Sequence, residues 1–302
     1  MINVNMKKVQ AKYMKFVQSI NPELKNAVSS YLDRIDANIA LDSFTKTDHK
    51  TILEAVSELQ DKFTSLMQDG TDISLQSAKD YKQASFAPYL TEVKQELTKL
   101  ELPISLAEDT QLNLVFGGGM DSKIIDSVWD KVWPDSLTVD DRITKWGKAF
   151  LNNTESIIKT GITEGKSAAN IAKDLRTHFE DVEIERKAGL RLAAYTTNSV
   201  YQTAQAEISI AAKFVMGTLI ERDDDGSDNC MICADHAGDV GGPGIEYTKE
   251  DFGGRDSDMY IMTNGPAYHP NCMCTVSDVF ESAEEFVDKA REEYEKDKSD
   301  DD

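Results

Sequence analysis

Apolar residues recur every three to four positions through most of the chain, and that spacing predicts helices. The stretch "NPELKNAVSSYLDRIDANI" opens on Asn21 as N-cap and Pro22 at the first helical position, where a missing N–H costs nothing. In "DHKTILEAVSELQDKFTSLM", Ile52, Leu53, Val56, Leu59, Phe63 and Leu66 form one apolar stripe, with Asp48 placed to cap it. A third helix is expected over "LQSAKDYKQ", resuming after Pro88 as "YLTEVKQELTKL". Stripes of this kind are the core-facing sides of a helical bundle. Gly117 to Gly119 then break the pattern. No Gly-Lys-Ser/Thr follows at P-loop spacing, so the run reads as a tight turn or hinge rather than a phosphate cradle.

Helical spacing returns in "DDRITKWGKAFLNNTESIIKTGI", which places Ile143, Trp146, Phe150, Leu151, Ile157 and Ile158 on one face. Gly161 and Gly165 punctuate its end. "SAANIAKDLRTHF" restarts from Ser167 as N-cap and turns Ile171, Leu175 and Phe179 inward. A longer helix is expected from about Glu185 to about Ala212, rich in Ala, Thr and Ser and suited to close helix–helix approach. After Phe214 the period shortens to two. "FVMGTLIER", "GIEYT", "MYIMT" and "CTVSDVF" are short strand candidates separated by Gly, Pro and Asp. "ESAEEFVDKAREEYEKDKSDDD" is a closing helix that carries Phe286, Val287, Ala290 and Tyr294, and its last six residues need no structure.

The pattern therefore predicts an α+β protein with a mainly helical amino-terminal body and a small β-rich module near the carboxyl end. Its parts are a helical region over 1–125, a second helical part over 126–212, the β-rich module over 213–280, and an acidic helix and tail over 281–302. Composition narrows the function classes. The net charge of −21 gives a surface that repels phosphate backbones, which disfavours direct DNA binding. No run of about 18 apolar residues appears, so no membrane span is expected. The first residues lack the apolar stretch and small-residue cleavage site of a secretory signal, which points to a soluble cytosolic product.

All four cysteines fall in the β-rich module. Cys230 and Cys233 form a C-x2-C pair, a spacing that lets one tight turn present two thiolates to a tetrahedral ion. His269, Cys272 and Cys274 follow as H-x2-C-x-C in "YHPNCMC". Three states are open to these thiols: structural zinc, a disulfide, or no ligation at all. A reducing compartment favours metal over disulfide. Four protein ligands would close the site to a water nucleophile, so this zinc would be a staple for a module with little core. His236 in "CADHAGD" is a spare ligand candidate, and His49 reads as a surface residue.

Two enzymatic readings compete. Zinc deaminases use H-x-E before P-C-x2-C, and His178-Phe179-Glu180 does precede Cys230 and Cys233. Residue 229 is asparagine rather than proline, however, and the 269–274 turn would be left without a role. An HNH-type nuclease would use Asp235 and His236 beside a zinc knuckle. It wants a second C-x2-C and a basic face, whereas this chain has C-x-C and strong acidity.

C-x2-C followed by HPNC-x-C after a helical segment resembles the phage minor head, or head morphogenesis, proteins named for the F protein of phage Mu. Upstream, "VWPDSLTVDDRI", "GITEGKSAANIAKDLRTHF" and "AAYTTNSVYQTAQ" extend the resemblance over about residues 128–280. Met273 stands where the family commonly has arginine. Tyr195, Thr196, Thr197 and Asn198 replace an Arg-Thr-Glu element, and an acidic helix follows the last strand. The resemblance implies a low-copy structural component of the virion head, assembled in the host cytoplasm, that meets the portal or major capsid protein. A non-virion adaptor with a zinc-stapled binding module is the other non-enzymatic reading.

Overall fold

The first described helix, α1 (Lys46–Lys99), runs for 54 residues without interruption. The structure is a computed structural model that describes residues 22, 26, 30, 46–132, 136–180, 183–221, 243–248 and 275–300. Pro22, Asn26 and Ser30 are helical. The sequence pattern broke α1 into separate helices, and the structure corrects that. Buried positions continue at three- and four-residue steps through Val56, Leu59, Phe63 and Met67, then Thr71, Ser74, Ala78 and Lys82, then Phe86, Tyr89, Val93 and Leu97. Pro88 and Ala87 are exposed, so the hydrogen bond that proline cannot make is missing on the side open to solvent. Two smaller corrections follow. Leu53 is 42% exposed and Ala55 takes the buried position, while Asp48 lies inside the first turn because the helix begins at Lys46.

The chain forms two units. One comprises Ser127–Thr197 together with α1 up to Ile73. In it, α4 (Val139–Thr163) starts from a reciprocal cap: Asp141 N–H donates to Thr138 Oγ1 at 3.2 Å, and Thr138 N–H donates to Asp141 Oδ2 at 3.0 Å. Ile143, Trp146, Phe150 and Ile158 are buried as expected, with Leu151 and Ile157 packed beside them. Trp146 sits between Phe63 of α1 and Phe150, at ring separations of 4.5 and 4.9 Å. Gly161 does not end this helix. It lies within it, pressed so closely on Ile171 that a Cβ would fall 2.5 Å from that side chain. The stop comes at Gly165, whose φ of 69° closes a helix end in which Lys166 N–H donates to the Gly161 carbonyl and Gly165 N–H to that of Ile162. Ser167 then caps α5 (Ala168–Glu180), accepting from Asn170 N–H at 3.4 Å. The helix α6 (Glu183–Ala211) follows, and its residues up to Thr197 belong to this unit.

The other unit comprises Ser74–Asp126 and Asn198 onward. The short helices α2 (Thr110–Phe116) and α3 (Asp121–Trp129) flank the glycine run, which is a tight turn with Gly118 at φ 91°. Asp109 caps α2 through Gln111 and Leu112 N–H, and its other oxygen accepts from Lys213 N–H at 3.0 Å. That bond ties α2 to the point where helix gives way to strand. The strands β1 (Val215–Glu221), β2 (Ile245–Thr248) and β3 (Thr275–Phe280) form an antiparallel sheet in the order β2-β1-β3. "MYIMT" lies outside the described residues. The chain is thus mainly helical, with a small three-stranded antiparallel sheet near its carboxyl end.

Aromatic residues join sheet to helix. Phe214 lies 5.1 Å from Phe86, 4.8 Å from Tyr89, 6.0 Å from Phe280 and 6.3 Å from Phe286 between ring centres. Phe286 belongs to α7 (Ala283–Asp300), which is capped reciprocally by Ser282 and Glu285 and continues into the tail that the sequence left without structure. Burial, with Glu281, Glu285 and Glu92 nearby, holds the Tyr89 phenol above its ordinary pKa.

Within β1, Val215 pairs with Phe280 and Gly217 with Val279, so Met216 is an extra residue that bulges outward. Gly217 is required by the next strand. A Cβ there would lie 2.2 Å from the Tyr247 carbonyl oxygen and 3.2 Å from Thr248 Cα, both main-chain atoms that cannot rotate away. Gly217→Ala is expected to cost about 1–3 kcal/mol through this overpacking. It should also speed hydrogen exchange at residues 245–248. Unchanged exchange in β2 would contradict the close approach.

Candidate functional site

The predicted metal ligands Cys230, Cys233, His269, Cys272 and Cys274 lie outside the described residues, as do Asp235 and His236. The strands that flank them are described, and their register is informative. Ile220 pairs with Ile245, so the segment 222–244 that carries Cys230 and Cys233 leaves and re-enters the sheet at one end. Glu221 pairs with Thr275, so the segment carrying His269, Cys272 and Cys274 comes back to that same end. Antiparallel pairing on both sides of β1 thus brings both flanks of the first Cys segment and the carboxyl-terminal flank of the second to one end of the sheet. Among the described residues, no group of three or more His, Cys, Asp or Glu side chains is placed to hold a metal ion. His178 is exposed in the last turn of α5.

A polar cluster that the sequence reading missed is built where α1, α6 and β3 meet. Lys82 and Asp278 are an ion pair with side chains 1% and 2% exposed. Lys82 Nζ donates to Asp278 Oδ1 at 2.7 Å, to Asp278 Oδ2 at 2.6 Å and to Ser209 Oγ at 2.7 Å. All three ammonium donors therefore have acceptors. Ser209 Oγ lies 2.6 Å from Asp278 Oδ1 and 2.9 Å from the Gln205 carbonyl, and its single proton serves one of the two. Burial pulls the Lys82 pKa down, and the carboxylate of Asp278 opposes that pull. Tyr81 is raised by burial first and by Asp278 second.

A serine beside a lysine invites a nucleophilic reading, but the geometry opposes it. An activating lysine must be neutral so that it can take the hydroxyl proton, whereas both oxygens of a carboxylate here favour the ammonium form. The three side chains are also buried away from solvent. The arrangement is a polar clamp. Its signal in the sequence was faint: a lysine one turn before Phe86 on an otherwise inward stripe, and an aspartate between Val276 and Phe280 in a strand. A second buried lysine, Lys79, pairs with the half-exposed Asp121 of α3.

Comparison of the chain with protein-family models, with curated proteins and with solved structures found no match. No helix among the described residues is long and apolar enough to cross a membrane.

Proposed function

We propose that this chain is a structural protein of a phage head, of the minor head or head morphogenesis type, that acts near the portal or inside the capsid. The observation that carries the reading is the pairing of C-x2-C at Cys230 and Cys233 with HPNC-x-C at 269–274. A mainly helical body before a small antiparallel sheet, with both flanks of the first Cys segment and the carboxyl-terminal flank of the second at one sheet end, is in keeping with it. Acidity disfavours contact with DNA, so partners are sought through helix faces on portal or capsid protein. In this reading Cys230, Cys233 and two of His269, Cys272 and Cys274 hold a structural zinc, and the protein has no catalytic turnover.

Two measurements test it. Co-expressed with portal and major capsid protein, the chain should sediment with assembled heads and resist a high-salt wash. A chain that stays free in that experiment overturns the head assignment. For the zinc, chelation should expose the thiols and loosen residues 225–275 while helical circular dichroism stays unchanged, and Cys233→Ser should reproduce the effect because a hydroxyl is a poor zinc ligand. Loosening by reductant but not by chelator would assign the cross-link to a disulfide. Metal-dependent nuclease activity that His236→Ala abolishes in a folded protein would replace the structural reading with an enzymatic one.

A further inference from the structure

The strand β3 has a weak apolar pattern and a strong polar anchor. In "TVSDVF" the apolar residues stand at 276, 279 and 280, which the two-residue period divides between the two faces. A strand patterned in this way specifies its register poorly, because a slip exchanges one mixed face for another. Its partner β1 already departs from strict register at Met216. What distinguishes the observed register is the match with α1. Lys82 and Phe86 stand one turn apart, about 6 Å along the helix, and Asp278 and Phe280 stand two residues apart, about 6.6 Å along the strand. Asp278 therefore meets Lys82 while Phe280 meets Phe86, at 5.9 Å between rings, and Tyr89, at 5.2 Å.

We infer that the Lys82–Asp278–Ser209 cluster sets the register of β3 against β1 and α1, and so positions the chain that enters β3 from Cys274. A slip of two residues in either direction takes Asp278 away from the ammonium and leaves Lys82 buried without its carboxylate. The same slip also takes Phe280 from Phe86 and Tyr89, but that loss leaves no charge unpaired, whereas the separation of Lys82 from Asp278 does. Buried ionic groups often add little stability over an apolar replacement, but they penalise every arrangement that separates them. The same slip would move the entry to β3 by about 6.6 Å, nearly three Zn–S bond lengths. That last consequence rests on the zinc reading, whereas the register role does not.

The test uses the full chain and reads register by cross-linking. Leu219 and Ser277 are Cα partners, so Leu219→Cys with Ser277→Cys reports the observed register. Leu219→Cys with Thr275→Cys, and with Val279→Cys, report the two-residue slips. Mild oxidation followed by peptide mass spectrometry distinguishes these disulfides from those of the native cysteines. With Lys82 and Asp278 intact, only the 219–277 link should form. In a Lys82→Met/Asp278→Leu background that retains its helical signal and melts cooperatively, a slipped pair should link at least tenfold faster than before. The 219–277 link forming alone in that background would overturn the inference. If that background does not fold, Lys82→Met/Asp278→Asn keeps an acceptor for the Ser209 hydroxyl and is read in the same way. Failure of both to fold would make the cluster a requirement for folding itself, which also overturns a register role. None of these readouts uses metal, so a chain without zinc would defeat the zinc reading and leave this one standing.

Discussion

Asp278→Leu should lower the unfolding free energy by about 3–5 kcal/mol, because it leaves the Lys82 ammonium buried with Ser209 as its one remaining acceptor. Lys82→Met should cost a similar amount from the other side, stranding a carboxylate whose exposure is 2%. Joined in one chain, Lys82→Met and Asp278→Leu should come within about 1 kcal/mol of the parent, since an apolar pair of similar volume brings no desolvation penalty. Ser209 keeps the Gln205 carbonyl as an acceptor in that variant. Urea denaturation measures all three, with equal slopes required before midpoints are compared. If the double variant loses as much as the two single ones together, the side chains are not coupled and the clamp fails as a description.

Phe150→Ala is the second large effect, in the other unit. Phe150 is fully buried against Trp146, and truncation to alanine leaves a cavity that its helix-bound neighbours fill only in part. The expected loss is about 3–5 kcal/mol. Because Trp146 borders the cavity, its near-ultraviolet dichroism should weaken in the folded state as well. Leu53→Ala provides the control. The sequence stripe included Leu53, but it is 42% exposed, and its truncation should stay within about 0.5 kcal/mol. A loss at Leu53 equal to that at Phe150 would mean that the buried face of α1 is wrongly placed.

The contrast between these two residues shows where the sequence was legible. In α4, large apolar residues occupy nearly every inward position, so Ile143, Trp146, Phe150 and Ile158 were readable from spacing alone. The middle of α1 was not readable. Of its buried positions there only Leu75 and Ala78 are apolar, while Gly70, Thr71, Ser74, Ser77, Lys79 and Lys82 are residues that a hydrophobicity pattern scores as exposed. The helix consequently read as two pieces, and Pro88 on the exposed side strengthened the error. Capping chemistry was read well where the side chain is short and local, as at Ser167. Gly161 was misread because a glycine demanded by packing and a glycine demanded by a turn are the same letter. Strand positions emerged from the change of period near Phe214. The clamp did not, because its three members stand at positions 82, 209 and 278 and no local pattern links them.

The pairing of Ile220 with Ile245 makes β1 and β2 a hairpin whose turn has been replaced by residues 222–244. Its two ends stand one strand spacing apart, about 4.8 Å, and the entropy of closing such a gap grows only slowly with the length of chain that closes it. That end of the sheet is therefore a graft point. Segments of quite different length and content can be exchanged there without moving either strand. The strands β2 and β3 stand differently: both run antiparallel to β1 on opposite sides of it, so they are not paired with each other. Exchange of 222–244 would leave the pairing of β1 with β2 in place while removing Cys230 and Cys233, the two zinc ligands proposed for that segment.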